Sequence, residues 1–322
     1  MRFSAKNWPA VVVVGLAALC LAGSARAVEA DKLTPADADV VVSVNVRKLL
    51  DSELFKKYGK DDAEKALLDE KAKKLLDAIG LNPLKDVDGI LFTSSGIDKP
   101  RRLLVVRGQF DADKIKAAAE KYAKDHPDDL KITKQGERTI YEGKGDGKQP
   151  FYAHVQGDGK TVLASTDKDY LLQAVNGRSS GPSKELQNAL DTIDGKEAVW
   201  MAMVVTEEMR KVMESNPQGK ELAPKLEALT GTVNVTSDVQ TNFVIHTSDA
   251  KAAGDVKKLL NQVKPILTLA ANSDEHIGPL VGDLMDNLKI TTEKNNVNVN
   301  LTVTGDLIEK ASKEEKKESK DK

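Results

Sequence analysis

Ser165-Thr166-Asp167-Lys168 spells Ser-x-x-Lys, in which a lysine one helical turn away takes the serine proton and makes the hydroxyl a nucleophile. The companions of that chemistry, Ser-Asp-Asn and Lys-Thr-Gly, do not occur in the chain. A strand ending at Ser165, followed by a helix capped by Thr166 or Asp167, accounts for the same four residues. Gly157-Asp-Gly-Lys-Thr161 resembles the end of a phosphate-binding loop. Such a loop needs a glycine where His154 stands, and a helix after Lys-Thr; Thr161-Val-Leu-Ala164 has strand character instead. Asp-Gly favours the positive-φ geometry of a hairpin turn, and Gly143 to Gly147 reads the same way. The four histidines, His126, His154, His246 and His276, show no metal-ligand spacing. His126-Pro-Asp-Asp129 reads as a solvated turn and His246 as the end of a strand. Asp61-Asp62 and Asp128-Asp129 lack the Asp-x-Asp-x-Asp-Gly frame of a calcium loop, and Asp61-Asp62 suits the positive dipole end of a Lys-rich helix. There is no Gly-x-Ser-x-Gly elbow; a Ser-His-Asp triad, recognised by geometry and not by spacing, stays open. Asn234-Val-Thr236 and Asn300-Leu-Thr302 match the glycosylation acceptor pattern but fall in strand segments. No residue is assigned a catalytic, cofactor-binding or metal-ligating role, and no cofactor is expected.

The elements that would position these groups follow a repeated order. Asp39 to Val46 is a β-branched run. Leu67, Leu68, Leu75, Leu76 and Ile79 recur at helical spacing, and Gly80 stops the helix. Strands follow at Val87 to Ser94 and Arg102 to Arg107, then a helix from Asp111 to about Lys124, then strand character at Leu130 to Thr133 and Arg138 to Tyr141. Phe151 to Val155, Thr161 to Ala164 and a helix from Asp167 to Val175 extend this copy. The second copy has a strand at Ala198 to Val205 and a mainly helical stretch from Glu207 to Leu229, broken at Asn216-Pro217. Gly231 to Thr236 and Val239 to His246 are paired strands. The helix from Asp249 carries Val256, Leu259, Leu260 and Val263 as its core stripe. Strands at Leu288 to Thr291 and Val297 to Val303 and a short helix from Leu307 complete it. Leu-Lys-Ile-Thr occurs at Leu130–Thr133 and again at Leu288–Thr291. Both copies read β-α-β-β-α-β. The expected class is α+β, as two tandem ferredoxin-like units with antiparallel sheets covered by helices. Expected boundaries are a signal peptide at 1–27, a first unit at 28–180, a junction at 181–196, a second unit at 197–312 and a disordered charged tail at 313–322.

Gly80-Leu-Asn-Pro-Leu-Lys-Asp-Val-Asp-Gly-Ile-Leu-Phe92, Val105-Val-Arg-Gly-Gln-Phe-Asp111 and Tyr141-Glu-Gly143 resemble a group of secreted bacterial proteins of unknown function. Thr34-Pro-Ala-Asp-Ala-Asp39 before the Val-rich strand adds to the resemblance. It covers most of the first copy and implies secretion and an α+β fold. It brings no catalytic residue to carry over.

Arg2 and Lys6, the apolar run Val11 to Leu21 and Ala25-Arg-Ala27 form an export signal of bacterial type, cleaved near Ala27. Its apolar run is too short to span a bilayer as a helix, so no stable membrane insertion is expected after cleavage. Cys20 lies inside the signal, and Leu19 stands where a lipoprotein signal has a small residue. The chain after the signal then has no cysteine, and hence no disulfide or thiolate chemistry. Of the 322 residues, 40% are hydrophobic and 30% charged, a soluble globular balance. Aromatics at 4% argue against a stacking surface for sugars or single strands. The formal charge is −2, and residues 1–27 hold three bases and no acid, so the remainder is more negative still. Nucleic acid is therefore not an expected partner. The leading expectation is a secreted or periplasmic, non-catalytic binding or structural protein of unknown ligand. The alternatives are a hydrolase with dispersed active-site residues and a carrier of an apolar ligand held between helices and sheet. A carrier calls for a dry site lined by Val and Leu; a hydrolase calls for polar groups of shifted pKa converging in a cleft.

Overall fold

The computed structural model describes residues 31–67, 70–98, 100–144, 150–177, 181–215, 217–271 and 278–318. The segment expected to be an export signal, His276 and most of the turn expected at Gly143–Gly147 lie outside the described residues. The chain forms two compact units. Unit A takes in Glu29–Asp51 and Tyr58–Asn188, and unit B takes in Ser52–Lys57 and Ala189–Lys322.

Unit A contains β1 (Val40–Asn45), α1 (Val46–Asp51), α2 (Lys60–Leu67), α3 (Glu70–Ile79), α4 (Pro83–Asp86), β2 (Val87–Ser95) and β3 (Arg101–Gly108). It continues with α5 (Ala112–Asp125), β4 (Leu130–Gln135), β5 (Arg138–Lys144), β6 (Pro150–Val155), β7 (Thr161–Ser165) and α6 (Lys168–Val175), and α7 (Lys184–Leu190) begins within it. The strand order is β1-β2-β3-β7-β6-β5-β4, antiparallel throughout. Local chemistry fixes the joints. Asp111 and Asp167 cap α5 and α6 by accepting from the backbone N–H groups of Lys114 and Tyr170, each worth about 1 kcal/mol. The β6–β7 hairpin turns at Asp158-Gly159, where Gly159 has φ +65° and Asp158 Oδ1 accepts from Lys160 N–H. Gly157 to Thr161 is thus a hairpin, with strand β7 where a phosphate loop would need a helix.

Unit B contains β8 (Val199–Val204), α8 (Glu207–Met213), α9 (Pro217–Leu222), β9 (Leu226–Val235), β10 (Val239–Thr247), α10 (Ala250–Ala271), α11 (Gly278–Asn287), β11 (Lys289–Glu293), β12 (Asn296–Val303) and α12 (Gly305–Glu318). The order β8-β9-β10-β12-β11 is again antiparallel. Each unit is a three-strand meander, then a helical crossover to a far strand, then hairpins that walk back to the meander. The two Leu-Lys-Ile-Thr copies fall at the same place, in or entering the first strand after the crossover, β4 and β11.

The α+β class and antiparallel pairing are as expected, but the strand order is not the ferredoxin-like one. In a ferredoxin-like unit the two strands flanking each helix run parallel with another strand inserted between them; here β1 and β2, which flank α1 to α4, pair directly and antiparallel. A two-residue turn at Gly136-Glu137 joins β4 directly to β5, and the short loop 156–160, with Gly159 at positive φ, joins β6 to β7, so both pairs are antiparallel. The stretch read as helix to Leu229 becomes strand at Leu226, because Pro224 in the short turn Ala223–Lys225 cannot continue a helix. Val263, expected in the α10 stripe, is 39% exposed; Val256 and Leu260 pack on Val297 and Val299. Helix α12 runs through Glu318, its Lys and Glu residues extending a helix begun at Gly305.

One face of the unit A sheet is its core. Val41, Thr93, Leu103 and Ser165 lie across β1, β2, β3 and β7, with Leu91, Val105, Leu163 and His154 in the next row, all buried. Helix α6 covers this face with Tyr170, Leu171 and Ala174. Arg101 lies over the Tyr170 ring at 5.2 Å and pairs with Asp37. In unit B the covered face holds Ile245, Val297 and Val299 under Ala253 and Val256 of α10. Its other face carries Thr232, Asn234, Asn242, Asn298, Asn300 and Thr302 in register across β9, β10 and β12, with Ala202, Ala228 and Val244 toward β8.

Candidate functional site

The face of the unit A sheet turned away from α6 departs from that pattern. Registered pairs place Val40, Val42 and Val44 of β1 beside Ile90 and Phe92 of β2, and these beside Leu104 and Val106 of β3. The row continues through Val162 and Ala164 of β7 to Ala153 and Val155 of β6. All of these side chains are aliphatic or aromatic and all retain contact with solvent; Leu104 is 37% exposed. Phe151, on the same face of β6 and lying over Gly143, is 39% exposed. At the β4 side the face is bordered by α5, which packs on β4 and on α3. Tyr141 marks this border: burial, and then the charge of Glu120 on α5, raise its phenol pKa. A sheet face turned to water is ordinarily polar, and this one is apolar along every strand from β1 to β6.

The groups singled out in the sequence are distributed elsewhere. Ser165 is buried at the end of β7, and its Oγ accepts from Asp167 N–H at 3.0 Å. Lys168 reaches over the Tyr152 ring at 5.9 Å. His154 is buried with Nδ1 2.9 Å from the Thr139 carbonyl, and His126 ends α5 against the Tyr122 ring. Asp129 pairs with Lys144 at 3.5 Å. Tyr170 is fully buried near the Thr93 and Ser95 hydroxyls; burial raises its pKa first, and Asp37 adds to that, against those hydroxyls and Arg101. Among the described residues no three His, Cys, Asp or Glu side chains surround a metal-sized position, and no helix is long and apolar enough to cross a membrane.

His246 is a half-buried titratable group of unit B. Its Nε2 lies 3.0 Å from Thr230 Oγ1 and its Nδ1 3.1 Å from Asn296 Oδ1. Burial lowers its pKa below the ordinary 6.5, opposed in part by the Asn296 bond. The unfolded chain therefore takes up this proton at higher pH than the folded one. The histidine's contribution is complete above its ordinary pKa of 6.5 and declines as pH falls through the lower folded value. The thermal midpoint of the parent should fall faster between pH 7 and pH 5 than that of His246→Gln, which keeps neutral bonding groups. Parallel profiles would show that the ring is freely protonated in the fold.

No protein-family model and no curated protein matches the chain. Solved structures similar to it include crystal forms III and I of TP0453. The first shares 12% identity at a TM-score of 0.53, covering 87% of this chain and 96% of that one. The second shares 11% at 0.50, covering 87% and 95%. At these identities the likeness is one of fold: the α+β path described above has a counterpart in TP0453 along nearly all of that chain.

Proposed function

We propose that this is an exported, non-catalytic binding protein whose ligand is apolar and lies on the open face of the unit A sheet. The observation that carries the reading is the unbroken row from Val42 through Phe92 and Leu104 to Ala164 and Ala153, apolar on every strand yet half-exposed. Removing such a surface from water is favourable, and the border at α5 gives the site one wall. At about 0.3 kcal/mol per heavy atom, a ligand of roughly twenty atoms gains about 6 kcal/mol, a dissociation constant of tens of micromolar. The hydrolase alternative has less support: Tyr141 and Tyr170, whose pKa values burial raises, lie on opposite faces of the unit A sheet, and His246 belongs to the other unit and bonds Thr230 and Asn296.

The neutral dye N-phenyl-1-naphthylamine tests the reading. Its fluorescence should rise saturably with the parent protein. In Leu104→Asp, which places a charge on the face without opening the core, its affinity should fall at least about tenfold with little change in thermal midpoint. Equal dye binding by the two proteins, or none by the parent, overturns the proposal.

A further inference from the structure

We infer that the ligand of this face is a long-chain fatty acid bound as a single molecule, its carboxylate held by Arg102. The inference rests on the apolar-ligand reading and adds a head group to it. Arg101 and Arg102 are chain neighbours on opposite faces of β3. Arg101 turns to the covered side, where Asp37 and the Tyr170 ring engage it. Arg102 shares its face with Leu104 and Val106, is exposed, and has no carboxylate within ion-pair distance among the described residues.

Its backbone is fixed at that end of the strand. Arg102 N–H donates to Thr166 Oγ1 at 3.2 Å, and Thr166 N–H donates to the Arg102 carbonyl at 3.2 Å. Opposite it on β2 stands Ser94, half-exposed, whose hydroxyl lies at the same rim. The face thus has an apolar body and one rim carrying a cation and a hydroxyl, which is the complement of an anionic amphiphile. A guanidinium fork binds a carboxylate bidentately, and one unpaired cation balances one negative charge.

Size and charge favour a single acyl chain over a membrane surface. From Arg102, on the middle one of the five strands, the face runs along β3 past Leu104 and Val106 toward Gly108, six residues at about 3.4 Å each or roughly 20 Å, near the length of an extended chain of about sixteen carbons. The chain as a whole is formally −2, so its field opposes approach to an anionic bilayer, whereas one monoanion needs only the local Arg102 charge.

Displacement of N-phenyl-1-naphthylamine tests this, with oleate below its aggregation concentration, oleyl alcohol, and dioleoyl phosphatidylglycerol vesicles. Arg102→Gln should raise the oleate midpoint about tenfold and leave that of oleyl alcohol within twofold, and Arg102→Lys should recover much of the oleate loss. Equal loss for oleate and the alcohol, or an unchanged oleate midpoint in Arg102→Gln, overturns the head-group assignment while leaving an apolar site. Vesicles that bind through Arg102 where monomeric oleate does not displace the dye overturn it in favour of a membrane surface. If the parent binds neither dye nor oleyl alcohol, it is the apolar-ligand reading itself that fails.

Discussion

Alanine at Gly108 should cost about 3 kcal/mol or more, the largest loss expected from adding a single carbon to this chain. Gly108 closes β3, and its N–H donates to the Lys160 carbonyl at 3.0 Å. A Cβ there would overlap the carbonyl oxygen of Asp86 and lie 2.9 Å from its carbonyl carbon and 3.0 Å from Val87 Cα. These are backbone atoms, so no side-chain rotation relieves the overlap. The same Asp86 carbonyl accepts from Gln109 N–H at 2.7 Å, so moving it breaks a second constraint. The pair Val87↔Gly108 also sits at the irregularity that sets the β2–β3 register. The control is Gly254→Ala in α10, where a Cβ meets nothing within 4 Å; it should stabilise by about 0.5–1 kcal/mol. Urea midpoints of both variants decide the matter. A Gly108→Ala protein as stable as its parent would mean that the β3 end does not pack against Asp86 as described.

Leu103 and Leu104 should respond to the same truncation in opposite ways. Leu103 is fully buried between Thr93 and Ser165 in the face beneath α6. Leu103→Ala removes its packing and leaves a cavity, at a cost of about 2–5 kcal/mol. Leu104 is 37% exposed, and Leu104→Ala should cost under about 1 kcal/mol. Dye binding should reverse the order: weakened in Leu104→Ala, and near the parent's in Leu103→Ala wherever that variant remains folded. Equal destabilisation by the two variants would show that the open face is covered in solution, and that it is a second core and not a binding surface.

Local chemistry carried much of the fold into the sequence. The β-branched run from Asp39 to Val46 became β1 because stiff, branched side chains suit a pleated surface, and the strand readings at Val87, Arg102, Ala198 and Val239 became β2, β3, β8 and β10. Asp111 and Asp167 announced α5 and α6, and Asp158-Gly159 announced a hairpin, because caps and tight turns are decided by a few adjacent residues. The repeated order of elements, marked by the two Leu-Lys-Ile-Thr segments, is likewise a property read along the chain. Strand order is different in kind. It depends on pairings between residues far apart, such as Val106↔Val162, and the spacing of elements does not choose between an interleaved sheet and a meander with a returning arm. The binding face was equally hidden. Leu103-Leu104-Val105-Val106 reads as one apolar run, which alone suits a strand buried on both sides. Only the seating of α6 on one side of the sheet makes Leu103 and Val105 core and leaves Leu104 and Val106 to solvent. By the same placement, Arg101 finds Asp37 and Arg102 faces the open row, a difference between identical neighbours that only the two sides of a folded sheet create.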